Sequence, residues 1–203
     1  KHMRILLSSL LTLALLSGCD IIDMPKGTAT GPTPPDDNGT VTRRVLIEDC
    51  TGMLCNNCPE AADIGQGIED YYNVNETRVI LVSINMMANY SAPQPPIGDG
   101  IFDTDFRTPA GTYYETEFQI TGLPTGLISR MPYNNSIRVS RNNWSSAVAQ
   151  IIDLAPEMDL WFDSLSFNSA TNVVTATVKA AILTPITAPR NLTVYLTANP
   201  VID

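Results

Sequence analysis

Cys50-Thr51-Gly52-Met53-Leu54-Cys55-Asn56-Asn57-Cys58-Pro59 holds three of the chain's four cysteines, with Cys55 and Cys58 spaced C-x-x-C. Upstream, Arg44 to Glu48 (RVLIE) is a short apolar run of strand type. Downstream, Glu60 to Tyr72 places Ala61, Ile64, Ile68 and Tyr71 at helical intervals, one apolar stripe. The C-x-x-C therefore falls where a strand turns into a helix. Unpaired N–H groups and the helix dipole at such a start favour thiolate over thiol, which lowers a cysteine pKa and makes it a nucleophile. Pro59 suits the first helical turn, where its missing N–H costs little.

The stretch beyond this helix continues in the same style. Thr77 to Asn85 (TRVILVSIN) is almost continuously apolar and reads as a strand buried on both faces of a central sheet. Strand, helix and strand at this spacing form a βαβ unit with a parallel pair. Met86 to Thr108 breaks the pattern with Pro93, Pro95, Pro96, Gly98 and Gly100 among Tyr90, Phe102 and Phe106. Long loops of this type are functional or disordered, and these aromatic residues either line a groove over the dithiol or cover the sheet. Asp99, Asp103 and Asp105 miss the spacing of a calcium loop and read as solvated turn carboxylates. Met86 and Met87 read as packing residues. Pro109 to Phe118 is a candidate short helix. Pro124 cannot lie mid-strand and so starts one running to Ile128. Ile137 to Val139 pairs back through a turn at Tyr133-Asn134-Asn135. Asn143 is placed to cap a helix carrying Trp144, Val148, Ile151 and Ile152.

At the N-terminus, Ile5 to Leu16 is an apolar segment behind Arg4, too short to span a bilayer, with Met3 the expected start. It ends in Leu16-Ser17-Gly18-Cys19, which resembles a bacterial lipobox and implies lipidation of Cys19; an ordinary signal peptide is the rival reading. Residues 1–18 are the expected signal peptide. Residues 19–42 form a tether rich in Pro, Gly and Thr. The chain has 12 Lys and Arg against 21 Asp and Glu, a net charge of −9. Removing Lys1 and Arg4 with the signal peptide makes the balance more acidic still. Such a surface repels nucleic acid and anionic headgroups, so a lipid, not charge, would hold this protein to a membrane.

After residue 155 the sequence changes character. Trp161 to Phe167, Asn172 to Ile182 and Asn191 to Ala198 are strand-like, rich in Val and Thr. About three strands fall short of the roughly seven of a β-sandwich, so residues 156–203 read as the opening of an Ig-like sandwich in a truncated chain.

The order strand, C-x-x-C, helix, strand, insertion, G-x-P-T, hairpin, helix resembles the thioredoxin fold. LIEDCTGMLCNNCPEAA, followed by GLPTGLISR and a Trp-led helix, is similar to the outer-membrane-protein-twenty-eight-related family of thioredoxin-fold lipoproteins. The resemblance implies an α/β fold with a thioredoxin-like domain over residues 43–155. It implies Cys55 as nucleophile, Cys58 as resolving thiol, Pro124 as a cis-proline beside them and Asp49 as the buried acid that accepts a proton. Glu48 is the rival of Asp49, because strand alternation turns only one of them towards the sulfurs. Cys50 departs from the family, which carries an aromatic residue there, and Asn85 stands where the family has a His.

Three readings of Cys55 and Cys58 compete. A structural zinc wants four N/S ligands, yet the sole His is His2 and Cys50 is the one further thiol nearby. A structural disulfide suits an oxidising envelope. A redox-active pair suits a C-x-x-C at a helix start. Cys50 itself reads as a buried, inert strand cysteine. Two functions follow. One is an outer-membrane or cell-surface lipoprotein of a Gram-negative bacterium that exchanges disulfides with envelope proteins, without cofactor or metal. The other is a surface lipoprotein that binds a ligand and keeps the pair as a structural bond.

Overall fold

The computed structural model describes residues 41–98 and 100–198. The signal segment, Cys19, nearly all of the tether and Asp99 lie outside the described residues. The chain alternates strands and helices, so the α/β class holds. Strand β1 (Val45–Thr51) leads through the cysteine loop into helix α1 (Cys58–Tyr72) and strand β2 (Val79–Asn85). The helical turn α2 (Ala88–Ser91) and helix α3 (Pro109–Glu117) follow. Strands β3 (Thr125–Ile128) and β4 (Arg138–Val139), a 3-10 turn and helix α4 (Trp144–Ile151) complete this unit.

The four strands form one sheet in the order β2-β1-β3-β4, β1 parallel to β2 and antiparallel to β3. The expected burial of TRVILVSIN on both faces is only partly met: Val79 and Ile84 are buried, but Ile80 and Ser83 are exposed, because among the described residues β2 lies at the edge of the sheet.

Alternation along β1 divides the interior. Val45 and Ile47 face α1 and α4, in a core with Ala61, Ile68, Trp144, Val148 and Ile152. Cys50 faces the other way, against Ile84, Met86, Tyr114, Ile120 and Leu127. Glu48 shares that second face and Asp49 the first. Helix α1 buries Cys58, Ala61, Gly65 and Ile68. The expected stripe is corrected at its end: Tyr71 is 74% exposed and Tyr72 packs on the core instead. Tyr72 stands about three whole helical turns from Ala61 and so returns to its face, whereas Tyr71 falls most of a quarter turn away. Gly65 is required here, since a Cβ would lie 2.9 Å from Leu81 Cδ1.

The β3–β4 hairpin turns at Asn134 and Asn135, both at positive φ, a conformation Asn tolerates. It pairs Gly126 with Val139. Trp144 is fully buried and its indole Nε1 donates to the Val139 carbonyl at 3.0 Å. The indole lies so close over Gly126 that a Cβ there would sit 2.2 Å from Nε1. Asn143 occupies the N-cap position of α4, but its side chain makes no capping hydrogen bond; the preceding 3-10 turn leads into the helix instead.

Beyond α4, β5 (Met158–Asn168) and β6 (Val173–Ile182) form a separate antiparallel hairpin. The register slips by one residue between Phe162 and Ser164, leaving Asp163 as a bulge. Met158, Leu160, Phe162, Leu165 and Phe167 thereby share one face with their partners Ile182, Ala180, Val178, Ala176 and Val174. All ten are apolar, and most are exposed. Residues 191–198 form no strand, which corrects the expected third strand. Tyr195 instead reaches back to the first sheet, so the boundary expected at residue 155 is crossed by side-chain contacts.

Candidate functional site

Strand β1 ends at Thr51, and the cysteine loop turns on Gly52, whose carbonyl accepts from the Cys55 N–H at 3.0 Å. Gly52 admits no side chain, because Tyr90 Cβ would lie 2.7 Å from an added Cβ. The loop is pinned from the insertion side by the Leu54 N–H donating to the Tyr90 carbonyl. The Cys55 carbonyl accepts from the Cys58 N–H, and α1 begins at Cys58 with Pro59 in its first turn. Helix α1 thus starts at the second cysteine of the pair.

Cys55 and Cys58 are joined as a disulfide. Cys55 is 6% exposed and Cys58 3%, so both are buried, Cys58 the deeper of the two.

Asp49 and Glu48 separate as alternation requires. Asp49, 1% exposed, lies on the α1 face of the sheet and lines a cavity of about 290 Å³ together with Cys58, Met53, Ser83 and Phe106. Its Oδ2 accepts a long hydrogen bond from Ser83 Oγ at 3.4 Å, and its Oδ1 has no partner among the described residues. Burial pushes its carboxyl up to about 6, opposed by the Ser83 hydrogen bond. A carboxyl so poised holds or releases a proton close to neutral pH.

Glu48, fully buried on the opposite face, has a different occupation. Arg130 donates to it through Nε at 3.0 Å and Nη2 at 2.7 Å, and Tyr195 donates its hydroxyl to the same carboxylate. Tyr114 and Tyr195 hydroxyls lie 2.7 Å apart, and the Arg130 guanidinium stacks over Phe118 at 4.7 Å. This fork-shaped pairing satisfies a buried charge, and Glu48 is turned away from the dithiol. Burial, then the bond to Glu48, pushes the Tyr195 hydroxyl well above its ordinary pKa.

Pro124 stands immediately before β3, and its bond to Leu123 is cis. The next residue, Thr125, pairs with Cys50, which sets Pro124 at the end of the sheet from which the cysteine loop springs. Cys50 is fully buried and free. Burial, then the nearby Asp49 and Glu48 charges, raises its thiol far above the usual range and keeps it protonated. Asn85 lines the cavity beside Asp49.

The insertion has two uses. Phe106 walls the cavity beside Cys58, while Tyr114 and Phe118 pack the second core. Met86 is buried there too. Asp103 accepts from the Gly98 and Gly100 N–H groups, and Asp105 is held by Arg107 with its carboxyl lowered to about 2. Among the described residues no group of three or more His, Cys, Asp or Glu could hold a metal, and no helix is long and apolar enough to cross a membrane.

Ser83 and Met53 were not marked by the sequence as site residues, whereas Phe106 is one of the insertion aromatics for which a groove over the dithiol is an open reading. Ser83 carries a signal in hindsight of register, as the polar break in VILVSIN directly opposite Asp49. No protein-family model, curated protein or solved structure matches the chain.

Proposed function

We propose that this protein exchanges thiols and disulfides at Cys55 and Cys58 on a thioredoxin-like domain. The observation that carries the reading is Asp49: a buried carboxyl with an unpartnered oxygen, in the same cavity as Cys58. The sheet order, with the dithiol between β1 and α1, is in keeping with that fold. In the reduced form, the Cys55 thiolate attacks one sulfur of a substrate disulfide. A protein–substrate disulfide forms, and the other substrate sulfur leaves as a thiolate. Asp49 takes the Cys58 proton, and the Cys58 thiolate attacks Cys55 Sγ, releasing the second substrate thiolate and closing the Cys55–Cys58 bond. Two electrons pass from protein dithiol to substrate disulfide. The same steps in reverse oxidise a substrate dithiol. Pro124 would flank the pair on the sheet side.

Lipidation at Cys19 would tether the domain to the envelope of a Gram-negative bacterium, with envelope proteins as substrates. The β5–β6 hairpin would open an Ig-like sandwich whose second sheet covers the ten-residue apolar face.

One observation favours a second reading: both sulfurs are almost wholly buried, as in a structural bond of a ligand-binding lipoprotein. Trapping separates the two. Cys58→Ser should accumulate a mixed disulfide at Cys55, and Cys55→Ser should not. A reduction potential below about −300 mV, with no trapped species, would establish the structural bond instead.

A further inference from the structure

Among the described residues, the edge of β2 is closed at both ends and open in the middle. In a parallel ladder alternate residues of a strand bond to one side. The Arg78 carbonyl and Met86 N–H both bond to β1, so even-numbered residues of β2 face β1 and odd-numbered ones face outward. The outward groups are met in turn by side chains. Asn73 accepts from the Val79 N–H and donates to the Val79 carbonyl, each at 2.8 Å. Glu69 accepts from the Leu81 N–H at 3.2 Å, and beyond the strand Glu115 accepts from the Met87 N–H at 3.1 Å. Gly111 of α3 abuts the Asn85 carbonyl so closely that a Cβ would lie 2.1 Å from it. Between these guards, Ser83 is exposed. Its N–H and carbonyl, the Leu81 carbonyl and the Asn85 N–H have no partner among the described residues.

Two cavities meet at this gap. The one shared by Asp49 and Cys58 lies on one face of the sheet, and a second of about 500 Å³, lined by Val82, Ile84 and Tyr114 and walled by the chain's own Tyr195 to Ala198, lies on the other. Ser83, Asn85 and Phe106 line both. A strand laid along the open edge sends successive side chains to opposite faces, hence one into each cavity. We infer that the gap at Ser83 is a docking edge for an extended polypeptide, which pairs with the Ser83 backbone and places one side chain beside Cys58. The open run is too short for two β2 strands to pair with each other, which sets aside a second copy as occupant. The chain's net charge of −9 selects a neutral or basic peptide. As the route by which substrate reaches the dithiol, the inference rests on the redox reading; the docking is measurable without it.

The probe is the cysteine-free hexapeptide Lys-Val-Thr-Val-Thr-Lys, acetylated, amidated and fluorescein-labelled, titrated by anisotropy into the full oxidised chain. It should bind, and N-methylation of alternate residues in one of the two registers should weaken it at least tenfold. Ser83→Pro removes the outward N–H without touching the ladder to β1 and should weaken binding at least tenfold, while Ser83→Ala, which keeps the N–H, should not. Should Ser83→Pro fail to fold, hydrogen exchange on the unaltered chain decides, with the Ser83 and Asn85 amides slowed at least tenfold by the peptide. Absence of binding, or binding indifferent to N-methylation with unchanged exchange at Ser83, overturns the inference. Docking with no trapped species in Cys58→Ser would sink the redox reading alone. Trapping without docking would sink this one alone.

Discussion

Replacing Asp49 by Asn removes the one buried acid on the dithiol face, and the effect on stability has a calculable sign. The carboxyl rises from an ordinary 3.8 to about 6 in the folded chain, chiefly through burial. Below pH ~4 both folded and unfolded chains carry the proton, and the residue costs nothing. Between ~4 and ~6 the folded chain holds a proton that the unfolded chain has released, so stability falls as pH rises. Above ~6 the carboxylate is buried charged. The full loss, at ~1.4 kcal/mol per tenfold change in proton affinity, is on the order of 3 kcal/mol. Urea unfolding of the oxidised chain at intervals from pH 4 to pH 8 measures it, with constant m-values as the check on two-state behaviour. The parent should lose about 3 kcal/mol relative to Asp49→Asn across that window, the curves parting between pH 4 and 6 and running parallel above. Parallel curves throughout would mean that Asp49 titrates as in water, and the proton-acceptor role would lose its physical basis.

Arg130→Ala leaves Glu48 buried without its cation and should cost about 3 kcal/mol in urea unfolding. Tyr195→Phe, which removes one bond to that carboxylate, should cost about 1.5–3 kcal/mol, and a loss below ~0.5 would mean that residues 191–198 do not hold the sheet. Gly126→Ala drives a methyl into the Trp144 indole and should cost at least ~1–3 kcal/mol, with tryptophan fluorescence shifted as the Val139 bond breaks. An unchanged spectrum would refute that contact. Cys19→Ser, expressed in a bacterial host and fractionated, should leave the membrane fraction; equal partitioning with the parent would refute lipid attachment.

The sequence was most readable where period and punctuation agreed. RVLIE, the Pro59 helix, Pro124 before a strand and the Asn134–Asn135 turn each combine a hydrophobic pattern with a residue of fixed backbone preference. Position within the sheet was less readable, because an apolar run says that a strand is covered, not that it has neighbours on both sides; β2 is covered by α1 and the second core yet, among the described residues, pairs only with β1. Glu48 and Asp49 were separable by alternation in principle, but which faces the sulfurs depends on where α1 packs. The Arg130–Tyr195 partners of Glu48 could not be found locally, since Tyr195 lies 147 residues from the acid it bonds. The third strand failed for a related reason: Leu192, Val194 and Leu196 alternate as a strand should, but alternation supplies no partner for the backbone.

The bulge at Asp163 sets a rule about length rather than identity. The two halves of β5 are written in opposite phase, Leu160 and Phe162 at even positions, Leu165 and Phe167 at odd ones, while β6 keeps one phase from Val174 to Ile182. The single extra residue brings the halves back into step. Its side chain points into no core and pairs with Lys179 at the surface, so many residue types can stand there. Its presence is another matter, because deleting it would rotate half of the strand by one step and exchange its apolar and polar faces. Homologous sequences are thus expected to vary freely in what occupies this position, and to lose or gain a residue there only together with a compensating change of one residue elsewhere in the hairpin.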